Sequence, residues 1–430
     1  MKKVELLSPA GTLEKLKIAF DFGADAVYGG VSHFSLRIRS GKEFTFEDFA
    51  EGIKYAHERG KKVYATINGF PFNSQLDLLK KHILKMAELK PDAFIVATPG
   101  VLQLAHELVP DMPLHLSTQA NVMNVLDAKV YYNMGATRII TAREISLKDL
   151  KLIKEELPDL ELEVFVHGSM CFAYSGRCLI STLQSGRVPN RGSCANDCRF
   201  PYEIYAANPE TGTLFKLVED EGVGTYIMNS KDLNLSAHIK EILDSGVIDS
   251  LKIEGRTKTA YYAAVTAKAY RMAIDDYYEG KLDTPKYEYE LNSLQNRGYT
   301  DAYLVSRPFE KHDTQSLDFT MQLGTHQVSG VVNEEGTHFL TKYKTLPGDE
   351  LEVVAPLDAK IELVDNEYGS TYERDGKIFM KFKKLHAQNG KIWEEVHSGN
   401  VNPIILPTKF PPFTFFRIPS HPDMGTYPKA

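Results

Sequence analysis

The chain has 430 residues, a formal net charge of −7, and 43% hydrophobic against 25% charged residues, the balance of an ordinary globular protein rather than a disordered or fibrous one. Its length is more than one hydrophobic core serves, so a large domain with a smaller companion is expected. The acidic balance excludes a protein that coats nucleic acid indiscriminately. No apolar run approaches the roughly 18 residues of a membrane span, and the start "MKKVELLSPAGTLEKL" has no signal-peptide core, so no membrane contact and a cytoplasmic location are expected.

Residues 1–280 alternate short β-rich runs with amphipathic helical patterns: "VELLSPA", "TLEKLKIAFDFGA", "DAVYGG", "FEDFAEGIKYAHERG", "KVYATING", "LDLLKKHILKMAEL" and "DAFIVAT", then "VLQLAHELV", "PLHLST", "VLDAKVYYNMG", "RIITA", "LKDLKLIKEEL" and "EVFVHG". This is the pattern of parallel βαβ units. Gly23, Gly60, Gly135 and Gly246 each close a helical stretch just before a strand, where a left-handed C-cap belongs. With "TYIMNSKDL" and "SLKIEG", which leads into the helix "YYAAVTAKAYRMAIDDYYEG", there are nine strand candidates where a TIM-like (β/α)8 barrel needs eight, so one is surplus or the barrel is irregular. A doubly wound sheet competes, but no G-x-G-x-x-G turn follows the first strand. Residues 281–320 read as a helical or irregular connector. From 321 to 412 short alternating runs without helices, such as "QVSGVVNEEG", "DELEVVAP" and "KIFMKFKK", predict a small all-β barrel. The remainder, 413–430, is rich in proline and aromatics and is expected to lie extended over the surface.

All four cysteines, Cys171, Cys178, Cys194 and Cys198, fall in a predicted insertion at 169–202, just after the strand "EVFVHG". In a reducing compartment such a cluster points to metal ligation rather than disulfides. Tetrahedral Zn2+ and an iron–sulfur cluster both fit four thiolates; only Cys194 and Cys198 have the tight spacing usual for zinc, and the gap of six between Cys171 and Cys178 suits the wider cluster. The insertion also carries Arg177, Arg187, Arg191 and Arg199 against one acid, Asp197, and no lysine, a composition suited to phosphate or carboxylate. Phe172 and Tyr174 could stack a base or shield the metal from solvent, and shielding is the simpler expectation.

In a barrel, the ends of the strands converge on one mouth. The polar residues there are Ser8, Asn68, Thr118, Lys231 and the following candidates. Arg143, Glu144, His167 and Glu254 are the candidate catalytic groups; Arg37, Gln119, Asn121, Asn229 and Arg256 are the candidate binding groups for a cofactor or co-substrate.

"EVFVHGSMCFAYSGRCLIS" resembles the signature of the U32 peptidase family, and "ELLSPAGTLEKLKIAFDFGADAVYGG", "STQANV", "RGSCANDCRFPY", "NSKDL" and "SLKIEGR" are similar to its other motifs, in the same order. The resemblance covers about residues 4–280, and the later β region is similar to the family's C-terminal barrel domain. It implies a collagenase-like peptidase or, as in the family members better understood chemically, an oxygen-independent hydroxylase carrying a [4Fe-4S] cluster on four cysteines, here Cys171, Cys178, Cys194 and Cys198. The chain looks most like the branch that forms 5-hydroxyuridine at the tRNA wobble position with prephenate as hydroxyl donor. On that reading Arg37, Arg143 and Arg256 hold the carboxylates of the small dicarboxylate co-substrate, and Arg187, Arg191 and Arg199 touch the tRNA backbone. The peptidase alternative lacks a visible catalytic motif: there is no H-E-x-x-H and no G-x-S-x-G, and Pro110 stands where a zinc-binding helix led by His106 and Glu107 would need its second histidine. A non-catalytic, metal-stabilised RNA-binding protein is the third alternative.

Overall fold

The computed structural model describes residues 3–31, 34–35, 44–174, 177–187, 189, 194–217, 229–305, 314–316, 321–322 and 324–420. Strands and helices alternate as the patterning requires: β1 (Glu5–Pro9), α1 (Leu13–Asp21), β2 (Ala26–Gly29), α2 (Phe46–His57), β3 (Lys62–Ile67), α3 (Leu76–Glu88), β4 (Ala93–Val96) and α4 (Pro99–Leu108), then β5 (Leu114–Leu116), α5 (Val125–Asn133), β6 (Ala136–Ile140), α6 (Leu147–Glu156) and β7 (Glu161–Ser169). Side chains written at the turns start the helices. Thr12, Thr45, Thr98, Asn124, Ser146 and Thr259 are N-caps, each accepting the backbone N–H three residues on. Gly23, Gly60, Gly135 and Gly246 all have positive φ, as C-cap positions require.

After β7 the chain leaves the barrel through α7 (Ile180–Ser185) and the hairpin β8 (Ile204–Ala207) and β9 (Leu214–Leu217), and returns through β10 (Asp232–Asn234), α8 (Ile239–Asp244), β11 (Ser250–Ile253) and α9 (Ala260–Tyr278). β1 to β7 pair in sequence, all parallel, and β11 closes the ring by pairing with both β7 and β1. The protein is therefore built on a closed (β/α)8 barrel. β10 is the surplus candidate of the nine: it runs antiparallel to the end of β7, Leu233 opposite Gly168.

The barrel interior is charged where such barrels usually hold branched apolar residues. Arg138 on β6 donates to Glu5 (2.6 Å), Glu161 (2.7 Å) and Glu163 (3.0 Å), and Lys252 on β11 donates to the other oxygen of Glu163 (2.7 Å). Tyr64 donates to Glu5 at 2.6 Å and packs edge-on against His115. Glu163 is fully buried, and a buried carboxylate must be paired to be tolerated; here two cations share it.

The region after α9 is tied to the barrel rather than loose. α10 (Thr284–Asn292) packs on α9, with Tyr287 donating to Asp276 at 2.7 Å, and β12 (Tyr299–Thr300) pairs with β10. Arg297 pins this corner by donating to the Ser230 carbonyl and to Ser169, both at 3.0 Å, and by its ion pair with Asp232. Beyond it lie β13 (His326–Val332), β14 (His338–Thr341), β15 (Glu350–Val354), β16 (Gly369–Arg374), β17 (Lys377–Phe382), the small hairpin β18 (Leu385–His386) and β19 (Ile392–Trp393), β20 (Ile404–Ile405) and β21 (Phe415–Pro419). Seven of these form one antiparallel sheet in the order β16-β17-β15-β21-β13-β14-β20. It covers a core of its own that includes Phe339, Leu351, Met380, Phe382 and Phe416. Among the described residues no hydrogen bonds join β16 to β20, so the sheet curls without closing into a ring. No helix among the described residues is long and apolar enough to cross a membrane.

The expectation of an extended surface tail from residue 413 is corrected by β21, which lies between β15 and β13 in the middle of the sheet. Its alternation serves two cores. Phe416 faces the small sheet's core, whereas Phe415 joins the barrel's core, packing against Phe22 and Tyr261. Arg417, with no exposed surface, donates to Tyr261 (2.9 Å), Glu290 (2.7 Å) and Glu352 (2.7 Å), so one guanidinium joins α9, α10 and β15. The period of two hides in the sequence because both faces are apolar or buried.

Removing that guanidinium leaves Glu290 to Lys268 at 3.6 Å and Glu352 to the Tyr289 hydroxyl at 2.7 Å and His326 at 3.5 Å, a loss of the closest cation at each. Arg417→Ala is expected to cost about 3–5 kcal/mol of unfolding free energy in denaturant titration, and truncation after residue 412 to leave no cooperatively folded sheet; an unchanged midpoint for either would refute this account of β21.

Candidate functional site at the barrel mouth

The C-terminal ends of the barrel strands surround a cavity of about 160 Å³, roofed by the insertion that follows β7. Its floor comes from the inward-facing strand positions Tyr28, Thr66, Ile95, Ile140, Phe165 and Lys252, with Ser117 just past the end of β5. Above them Asn68, Thr118, Gln119, Arg143, Glu254 and Arg256 line the wall, and all four cysteines, with Phe172, Tyr174 and Arg199, line the roof. Five charged residues line this cavity among those described, four cations and the single carboxylate Glu254.

Arg143 reaches Glu254 at 3.4 Å and lies over the Phe165 ring, 3.9 Å from its centroid. Arg256 donates to Ser35 (2.6 Å) and Thr66 (3.0 Å). The Gln119 amide oxygen accepts from Ser117 at 3.2 Å, while its nitrogen is buried without a partner among the described residues. Arg199 turns inward, giving an N–H to the Met170 carbonyl at 3.3 Å.

The four sulfurs share this roof. Cys171 is exposed and the others partly so. Burial raises the Cys198 thiol above its usual range; Arg199 opposes the shift, and the charges of Cys171, Cys194 and Cys178 add to it. Burial likewise raises Cys178, with Cys171 and Cys194 adding to it. The sulfurs are thus close enough to influence one another, yet among the described residues no three Cys, His, Asp or Glu converge tightly enough to hold a single metal ion.

Of the residues proposed from the sequence, the mouth brings together Asn68, Thr118, Gln119, Arg143, Arg199, Glu254, Arg256 and the four cysteines, whereas Ser8 and Lys231 do not line it. Arg37 and Arg191 lie outside the described residues. Glu144 does not line the cavity; it neighbours Tyr303, whose phenol is raised first by burial and then by this carboxylate. Asn121 adopts φ +62° to end a single helical turn, and Asn229 is buried with its carbonyl accepting from the Ser316 amide; neither lines the cavity.

His167 is a correction with a clear cause. Phe165 points inward beside Lys252, and two residues further along His167 should do the same, but a bulge shifts the register so that His167 pairs with the outward-facing Ile253. Its ring sits 2% exposed among Tyr262, Tyr270 and Tyr299. Gly168, at φ +116°, allows the close approach that follows, since a Cβ there would stand 2.6 Å from the Glu254 carbonyl oxygen. Phe172 and Tyr174 shield little, being 51% and 55% exposed on the rim. Sequence reasoning missed Tyr28, Thr66 and above all Lys252. The available signal was a lysine inside the apolar strand run "SLKIEG".

A closed (β/α)8 barrel with a cavity lined by cysteines and arginines at its strand-end mouth has the layout of a barrel enzyme's active site. The Peptidase family U32 model matches residues 11–314, and the chain belongs to that family. It is 59% identical over 417 residues to the tRNA hydroxylation protein P of Helicobacter pylori strain J99, covering 97% of this chain and 99% of that protein. It is 38% identical to the tRNA hydroxylation protein P of Escherichia coli K12, covering 86% and 90%. It is also 35% identical to the 23S rRNA 5-hydroxycytidine C2501 synthase of the same organism, covering 75% of this chain and 48% of that one.

Burial, aided by the Lys258 charge, lowers the His167 pKa to about 3, whereas the unfolded imidazole titrates near 6.5. The folded value is the depressed one, so protons bind preferentially to the unfolded chain between these values and stability falls as pH drops below 6.5. This one site should contribute about 2 kcal/mol of loss between pH 6.5 and 4.5. Chemical denaturation at both pH values should show a correspondingly shallower pH dependence in His167→Phe; identical slopes would place the ring in solvent.

Proposed function

We propose that the protein is an RNA hydroxylase acting on tRNA, forming 5-hydroxyuridine at the wobble position with prephenate as hydroxyl donor. The observation that carries this reading is the convergence of four thiols and four cations on one barrel-mouth cavity. The relatives named for tRNA hydroxylation support the choice of RNA, matched over nearly the whole chain. Cys171, Cys178, Cys194 and Cys198 are proposed to hold a [4Fe-4S] cluster. A cubane takes one thiolate per iron, and the four cysteines that line one cavity supply that number. When bound, the cluster supplies redox-active or Lewis-acidic iron beside the base.

The chain's own groups then divide the work. Arg143 and Arg256 neutralise carboxylates of the donor, with Arg143 oriented by Glu254 and by the Phe165 face. Gln119 offers a buried amide to the polar edge of a ligand. Phe172 and Tyr174, half exposed on the rim, offer faces on which an everted pyrimidine can stack, and the exposed Arg187 is placed to meet phosphate. Among the described residues that line this mouth there is no histidine to pair with a cysteine or serine as base and nucleophile.

Nucleoside mass spectrometry of tRNA from cells lacking the gene should show loss of 5-hydroxyuridine derivatives. The wild-type gene should restore them, and Cys171→Ala or Cys198→Ala should not. Protein purified without oxygen should be brown, absorbing at about 400 nm. Unchanged modification in the deletion strain would overturn the assignment.

A further inference from the structure

The floor of the cavity holds a charge that the functional reading above leaves unused. Lys252 is 4% exposed and lines the cavity from β11. Among the described residues its ammonium gives one of its three N–H donors, to Glu163. Two aromatic faces flank it, Tyr28 with its centroid 4.2 Å away and Phe165 at 5.5 Å. Neither ring can accept the remaining N–H groups as a carboxylate does, so the amine keeps donor capacity on the cavity side at a desolvation cost. Its position is rigid. Glu163 is itself fixed by Arg138, and Arg138 by Glu5 and Glu161. Such a chain of ion pairs holds the ammonium against two apolar walls, Ile95 and Ile140 completing them.

A cation at the bottom, apolar and aromatic sides, and arginines higher up form a complementary mould for a small organic acid with a hydrocarbon body and more than one carboxylate. We propose that Lys252 is the innermost binding residue for the organic-acid co-substrate, taking one carboxylate on the barrel floor while Arg143 and Arg256 meet the other, with Glu163 and Arg138 as the positioning residues that hold the amine. This rests on the hydroxylase reading for the identity of the acid, and adds the residue that sets how deep the acid enters and which acids fit. An acid with a single carboxylate loses either the floor or the wall contact, so selectivity for diacids follows from the same geometry.

The test uses the full-length protein purified without oxygen, with prephenate as probe and phenylpyruvate as the monoacid control. Isothermal titration should show prephenate binding weakened at least about tenfold in Lys252→Gln, a loss of at least about 1.4 kcal/mol. Wild type should prefer prephenate over phenylpyruvate, and the variant should lose most of that preference. In turnover the KM for prephenate should rise while the KM for tRNA and the absorbance near 400 nm stay unchanged. If Lys252→Gln does not fold, the paired change Lys252→Met with Glu163→Gln removes both buried charges together and carries the same readout. Prephenate binding that is unaltered in a folded variant, or a parallel loss of tRNA binding and absorbance, overturns the role of Lys252 but leaves the hydroxylase reading standing. Failure of wild type to bind prephenate at all overturns both the Lys252 assignment and the choice of donor.

Discussion

Glu163 is the constraint from which the rest of the site follows. It is fully buried at the centre of the barrel and shared between Arg138 at 3.0 Å and Lys252 at 2.7 Å. An unpaired carboxylate there would be intolerable, and either cation alone in so dry a setting would be nearly as costly. Each group is stable because the others are present. The barrel therefore exchanges part of the apolar packing usual at its centre for a fixed line of charge along its axis. One end of that line rests on Glu5 and Glu161, of which Glu161 is partly open to solvent; the other ends in the cavity.

The mouth is assembled from two sources, the barrel strand ends and the insertion after β7. Floor and wall residues stand on strand ends fixed by the parallel ladder, and Arg143 and Arg256 are further held by Glu254, Ser35 and Thr66. The roof is an insertion held at its base by Arg297, which joins Ser169 at the end of β7 to Ser230 and Asp232 where the chain returns. That division suits a site in which strand ends place a small ligand while the insertion meets a large one.

Much of this was legible in the sequence, and the failures have physical causes. The βα alternation and the glycines at helix ends announced the barrel, because both follow from local chain geometry. Gln119, Arg143, Glu254 and Arg256 could be assigned to the mouth because in a parallel barrel a strand's C-terminal end has only one place to be. His167 failed the same logic through a single bulged residue, and no local signal in "EVFVHG" marks it. Lys252 escaped because its inward direction depends on register with β7 and β1, which a lone strand does not encode. β21 escaped because "TFFRIP" reads as aromatic and proline-rich composition, while its use depends on two cores lying on opposite faces.

The arginines of the insertion show how structure divides what composition lumps together. As a set they suited any anion. Arg199, held to the Met170 carbonyl and lining the cavity, depresses the neighbouring Cys198 thiol against the larger effect of burial, so its charge acts on the sulfurs. Arg187 stands exposed beyond the short helix α7 and acts outward. A guanidinium within the roof favours thiolate over thiol and so favours metal ligation, whereas one on the outer surface can only steer a polyanion, an effect that salt screens. The two effects therefore differ in degree within one protein: added salt should weaken what the exposed Arg187 contributes more than the bias at the half-buried Cys198, because the adjacent Arg199–Cys198 pair lies well within a Debye length.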